Sequence, residues 1–132
     1  MTLKEWWEKL YDTVRLNDSG ESIKFLGREP SSLLRRAIME ADNPFPLSLG
    51  EQLLNIIAQE LLNRNVDRGE RISNLFAIIV SRCTRTLREK ALGELIVLDA
   101  KEQVEDSIMA VALQRLPSFC PWDPRYSSLL NK

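Results

Sequence analysis

With 132 residues, 44% of them hydrophobic, the chain can bury one sizeable core, which excludes wholesale disorder and suits one domain. Its 18 basic and 19 acidic side chains leave a net charge of -1, which argues against a dedicated duplex-DNA binder. The absence of histidine excludes a Ser-His-Asp or Cys-His site built from this chain alone, and Cys83 and Cys120 are too few for a structural zinc site without further ligands.

Thr2 and Glu5 form a capping box for a first helix to about Val14. Trp6, Leu10, Tyr11 and Val14 share one face of it, with Trp7 beside them. Two adjacent tryptophans read either as core or as a surface for a partner. Leu16 to Pro30 is the least regular stretch. Asn17-Asp18-Ser19-Gly20 is a turn signal, and Ser22-Ile23-Lys24-Phe25-Leu26 alternates enough for a short extended segment, a loop or an edge element. A flexible link there would make residues 1–30 an arm.

The next helix starts at Ser31 or Ser32 and carries Leu33, Leu34, Ala37, Ile38 and Ala41, with Asn43-Pro44-Phe45-Pro46 ending it. Ser48-Leu49-Gly50-Glu51 opens another, to about Asn65, apolar over so wide an arc that it should be central. Asp67-Arg68-Gly69-Glu70 opens a third, whose stripe of Ile72, Leu75, Phe76, Ile79, Val80, Cys83 and Leu87 runs to Leu92, with Gly93 as its C-terminal cap. Glu94 to Leu98 is too short to assign to strand or helix by period. Asp99 and Glu102 then read as a capping box for a last helix, with Val104, Ile108, Val111, Ala112 and Leu116 on its apolar face and Pro117 as its stop. Together these signals predict an all-α bundle of about five helices, with a core over 31–117 and an aromatic, proline-rich tail over 118–132.

Chemistry-bearing motifs are few. The five glycines are scattered, so no Walker loop or dinucleotide fingerprint can be written, and no cofactor is implied. No carboxylate pair stands out as a general acid and base, and an enzyme is not expected. The two cysteines read as reduced packing thiols, no apolar run is long enough for a transmembrane helix, and Met1 to Trp7 is not a secretory signal, so a cytoplasmic protein is expected. The most suggestive polar pattern is Ser81 to Lys90, where Arg82, Arg85 and Glu89 fall along one helical ridge with Thr86 and Lys90 close by. Arginine grips phosphate by paired hydrogen bonds and stacks on bases. The same pattern also describes a solvated basic face at a helix C-terminus.

Ser107-Ile108-Met109-Ala110-Val111-Ala112-Leu113-Gln114-Arg115-Leu116-Pro117 resembles the signature of the late competence protein ComFB family. That signature has an Asp, an aliphatic residue, Ala-Leu-Asn, a basic or His position, Leu-Pro-Pro and a Tyr. Ala112-Leu113, Arg115 and Leu116-Pro117 fit it directly. Gln114 stands for the Asn, Ser107 for the Asp, Ser118 for the second Pro and Cys120 for the Tyr, with Phe119 one place before it. The resemblance implies a small helical, dimer-forming bacterial regulatory protein linked to competence and pili, in a family associated with cyclic dinucleotides.

Two functional expectations follow. In the first, a non-enzymatic regulatory homodimer binds a cyclic dinucleotide or a partner protein, with Arg82, Arg85, Arg88 and Arg115 on the phosphates and Trp122 and Tyr126 as the stacking surface. In the second, a protein adaptor with no small ligand presents Trp6 and Trp7, or Phe119 and Trp122 of the tail.

Overall fold

The computed structural model describes residues 2–15, 19–40, 47–117 and 124–130, and these are helical throughout their regular elements. Eight helices occur among them rather than about five: α1 (Leu3–Arg15), α2 (Ser19–Gly27), α3 (Ser31–Met39), α4 (Leu47–Asn63), α5 (Arg68–Val80), α6 (Arg85–Lys101), α7 (Asp106–Arg115) and α8 (Pro124–Leu130). The Asn43-Pro44-Phe45-Pro46 stop, the Asn17-Asp18 turn and the tail residues Phe119, Cys120 and Trp122 lie outside the described residues.

Local capping signals start two helices as read. The Thr2 hydroxyl accepts from Glu5 N–H at 3.2 Å, and Asp67 accepts from Glu70 N–H at 2.9 Å. The three extra helices are α2, the second part of a divided helix, and α8, which lies in the stretch read as a tail. The stretch read as loop or edge element is α2, whose Ser22 and Leu26 are buried with Phe25 half-buried beside them. Ser22 hides that helical stripe from a hydrophobic reading, because it is polar; its hydroxyl meets that of Thr13 on α1 at 2.9 Å. The single helix read from Asp67 to Leu92 breaks at Ser81–Thr84 into α5 and α6. Beyond it, Gly93 is not a C-terminal cap; α6 continues through it and through Glu94 to Leu98. Asp99 therefore lies within α6, not at the start of the helix read after it, which is α7 and begins at Asp106.

The core gathers residues from every part of the described chain, from Trp6 to Leu129. Helix α4 packs on α1, α2, α3, α5 and α6, as its wide apolar arc demands, and α5 packs on α3, α4, α6 and α7. Trp6 and Trp7 are 2% and 3% exposed, which removes them as a partner surface. Their ring centroids lie 5.5 Å apart edge to face, and Trp6 also meets Phe25 of α2 at 5.6 Å. The amphipathic face of α1 is buried against α2 and α4, so the indoles serve the core.

A helix leaves its last four carbonyls without intrahelical donors and carries partial negative charge there. Here arginines from elsewhere in the fold donate to such carbonyls. Arg64 Nη2 donates to Leu26 O at the end of α2 (2.6 Å), Arg71 Nη1 to Leu62 O at the end of α4, and Arg68 Nη2 to Glu102 O after α6. Arg88 serves two ends at once, donating from Nε to Ile79 O of α5 (2.9 Å) and from Nη2 to Arg115 O of α7 (3.0 Å). Carboxylates hold several of these guanidinium groups in place: Glu60 binds Arg64 at 3.0 Å and Glu94 binds Arg71 at 2.8 Å.

Candidate functional site

Helix α5 stops because Ser81 diverts its hydrogen bonds to a side chain. The Ser81 hydroxyl donates to Ile78 O at 2.6 Å and accepts from Cys83 N–H at 3.3 Å, competing with the helical ladder. Thr84 N–H donates to Asn55 Oδ1 of α4 at 3.5 Å, and α6 then starts at Arg85. Thr84 occupies the N-cap position without a side-chain cap bond, and the first turn of α6 holds no acid. It holds Arg85 and Arg88 instead. The end of the bundle where α6 begins thus joins the positive end of a helix dipole to a run of arginines.

The structure brings the four candidate arginines to this end in different states. Arg88 is half-buried and engaged with the two carbonyls of α5 and α7, which brings it against the Arg115 backbone. Arg82 is exposed in the connector, not on a helical ridge with Arg85, because the helix is interrupted there. Arg115 is exposed at the end of α7. Arg85 is exposed and pairs with Glu89 at 2.8 Å, an i, i+4 contact on the surface. Such exposed pairs contribute about 0.3–0.5 kcal/mol, so an anion can displace one at little cost. Backbone N–H groups at an uncapped helix start, in a stretch of chain rich in arginine, have the chemistry that suits phosphate or carboxylate.

Tyr126, expected to stack on a ligand, is only 3% exposed. It belongs to a second polar cluster at the corner between α6 and α7. Asp99 Oδ2 accepts from Tyr126 Oη at 2.7 Å and from Arg125 Nε at 3.2 Å; Asp99 Oδ1 accepts from Val104 N–H at 2.8 Å and from Arg125 Nη2 at 3.1 Å. Arg125 also donates from Nη1 to Asp106 Oδ1 at 2.6 Å and from Nη2 to Val104 O at 2.8 Å. Burial alone would push the Asp99 carboxyl up. The hydrogen bonds from Arg125, Tyr126 and Val104 and the Arg125 charge outweigh burial and hold it below the usual carboxylate range.

No family model, characterised protein or solved structure matches this chain. The functional reading therefore rests on the residues themselves. Burial pushes the Cys83 thiol up, more than the Ser81 hydrogen bond and the Arg88 charge pull it down, so it packs as a protonated thiol. Among the described residues no group of three or more acidic or cysteine side chains is placed to hold a metal ion, and no helix is long and apolar enough to cross a membrane. Two features escaped the sequence reading. The uncapped start of α6 depends on Ser81 and on Asn55 from another helix, and the Asp99 cluster depends on partners 26 and 27 residues away. The one local trace of the second was an acid set among Leu95, Ile96, Val97 and Leu98.

Proposed function

We propose that this chain is a non-enzymatic regulatory protein that takes a phosphate-bearing ligand at the end of the bundle where α6 begins. The observation that carries the reading is the base-rich, uncapped first turn of α6, with exposed Arg82 in the connector before it and the Arg115 backbone held to it through Arg88. Helix first turns ordinarily favour acids, which complement the dipole; a basic one is locally unfavourable and is offset when an anion binds. Arg82 and Arg115 contact the ligand, Arg85 exchanges its surface partner Glu89 for it, and Arg88 holds the three helix ends in register. The resemblance of 107–117 to the ComFB signature makes a cyclic dinucleotide the first ligand to try, with a homodimer presenting two such ends to its two phosphates. Tyr126 is committed to Asp99, which leaves Trp122 for stacking in this reading.

The test is a thermal-shift and calorimetric panel of cyclic di-AMP, cyclic di-GMP, linear dinucleotides and mononucleotides. A ligand specific for the folded protein raises the melting temperature by mass action. A selective rise for one cyclic dinucleotide, lost by at least about tenfold in affinity in an Arg82→Glu, Arg115→Glu double variant, supports the reading. A flat response across the panel passes the function to protein–protein adaptation.

A further inference from the structure

Among the described residues, two buried side-chain donors have no hydrogen-bond partner: Trp6 Nε1 and Asn74 Nδ2. Their surroundings differ. Trp6 lies against the rings of Trp7 and Phe25. Asn74 is fully buried on α5, which packs on α3, and it has charged company. Arg35 of α3 donates from Nη1 to Asn74 Oδ1 at 2.7 Å and to Glu70 Oε2 at 2.8 Å. Glu70 stands one turn before Asn74 on α5, so the three side chains form one polar seam between the two helices.

The Arg35 contact fixes which way the Asn74 amide faces. Turned over, the amide would set Nδ2 against Nη1, donor to donor. Its NH2 group is therefore turned from that contact, inside the protein, and requires an acceptor. A buried donor left unpaired is destabilising, and native proteins pair such groups with protein or with ordered water. Polar interior sites hold water, whereas apolar ones stay dry. That rule separates the two donors, because only Asn74 has polar neighbours at hand. It also defines the occupant. An anion would meet the Glu70 carboxylate and a cation the Arg35 guanidinium, so the seam favours a neutral molecule. Burial of Asn74 demands a small one, able to accept from Nδ2 and to donate onward. Arg35 engages Glu70 Oε2, which leaves Oε1 to accept.

We propose that the α3–α5 seam binds one internal water, which accepts from Asn74 Nδ2 and donates to Glu70 Oε1. The water joins Asn74 to Glu70 a second time, so that Arg35 docks α3 on a patch of α5 whose polar groups are all paired. The proposal stands apart from the phosphate-binding reading, because it uses the first turns of α5 and not the start of α6.

Oxygen-17 magnetic relaxation dispersion on the full chain tests it, since the method counts waters held inside the protein for longer than it tumbles. Folded Asn74→Leu, which removes the donor, is expected to hold one such water fewer than the wild type. A high-resolution crystal structure of the wild type gives a second reading that needs no variant. It is expected to show an ordered water oxygen within about 3.2 Å of both Asn74 Nδ2 and Glu70 Oε1. A water count unchanged in folded Asn74→Leu overturns the proposal. So does a wild-type crystal structure in which Nδ2 bonds a protein acceptor, or meets no acceptor at all, whether or not the variant folds.

Discussion

At the scale of single residues, Asp99 carries the sharpest energetic consequence. Its carboxylate accepts four hydrogen bonds in a site almost closed to water, and its ionised form is favoured over that of an unfolded chain. A depressed carboxyl stabilises the fold above the unfolded value, about pH 4, and that stability is lost as pH falls through the lower folded value. Asp99→Asn is expected to cost about 2–3 kcal/mol at neutral pH, since Arg125 then loses its buried carboxylate partner. The variant should also lose less stability than the wild type between neutral pH and pH 3, which is about the foot of the carboxylate range. Urea unfolding at several pH values measures both, and parallel acid limbs for the two chains would contradict the assignment. The sequence showed Asp99 only as a cap, because a capping box is judged within three residues while Arg125 and Tyr126 lie far along the chain.

At the scale of elements, α6 shows which signals are local and which are not. The starts of α1 and α5 were legible because Thr2 and Asp67 bond N–H groups three residues on. The interruption before α6 was not, because the apolar stripe runs straight across it: Ile79, Cys83 and Leu87 are all buried. Ser81 and the Asn55 amide of α4 impose the break through contacts a periodicity cannot contain. Gly93 misled in the opposite direction. A glycine inside a helix is unfavourable by about 1 kcal/mol relative to alanine, which packing of Leu92 and Leu95 on either side outweighs. The uncapped Thr84 yields a prediction in which stability and function separate. Thr84→Asp places a capping carboxylate at the positive end of α6 and is expected to stabilise the free protein by about 0.5–1 kcal/mol. The same carboxylate occupies the proposed anion site, so ligand affinity should fall while the melting temperature rises. A melting temperature that falls, or a ligand affinity left intact, would count against the role given to this helix start.

At the scale of the whole molecule, the arginines divide according to what lies across the bundle from them. Arg64, Arg68, Arg71 and Arg88 reach carbonyls at the ends of five helices, a use that depends on helix placement and leaves no trace in spacing. The all-helical class was legible because it follows from period alone, whereas the division between structural and exposed arginines follows from packing. The N-terminal tryptophans follow the same rule. The adaptor reading in its Trp6–Trp7 form needs a first helix that can be removed without loss of fold, yet Trp6, Trp7 and Leu10 are buried and α1 packs on α2 and α4. Trp6→Ala is expected to cost about 3–5 kcal/mol, since it empties a large core site between Trp7 and Phe25. Trp6→Phe should cost distinctly less. It keeps most of the ring packing and removes the indole Nε1–H, which is buried without a hydrogen-bond partner and so is itself destabilising where it stands. Chemical unfolding of the two variants beside the wild type gives the order directly. If both cost the same, hydrogen bonding of the indole matters more than this geometry allows. If neither costs more than about 1 kcal/mol, the range of an ordinary surface change, α1 does not belong to the core and the adaptor surface at Trp6 and Trp7 regains its place.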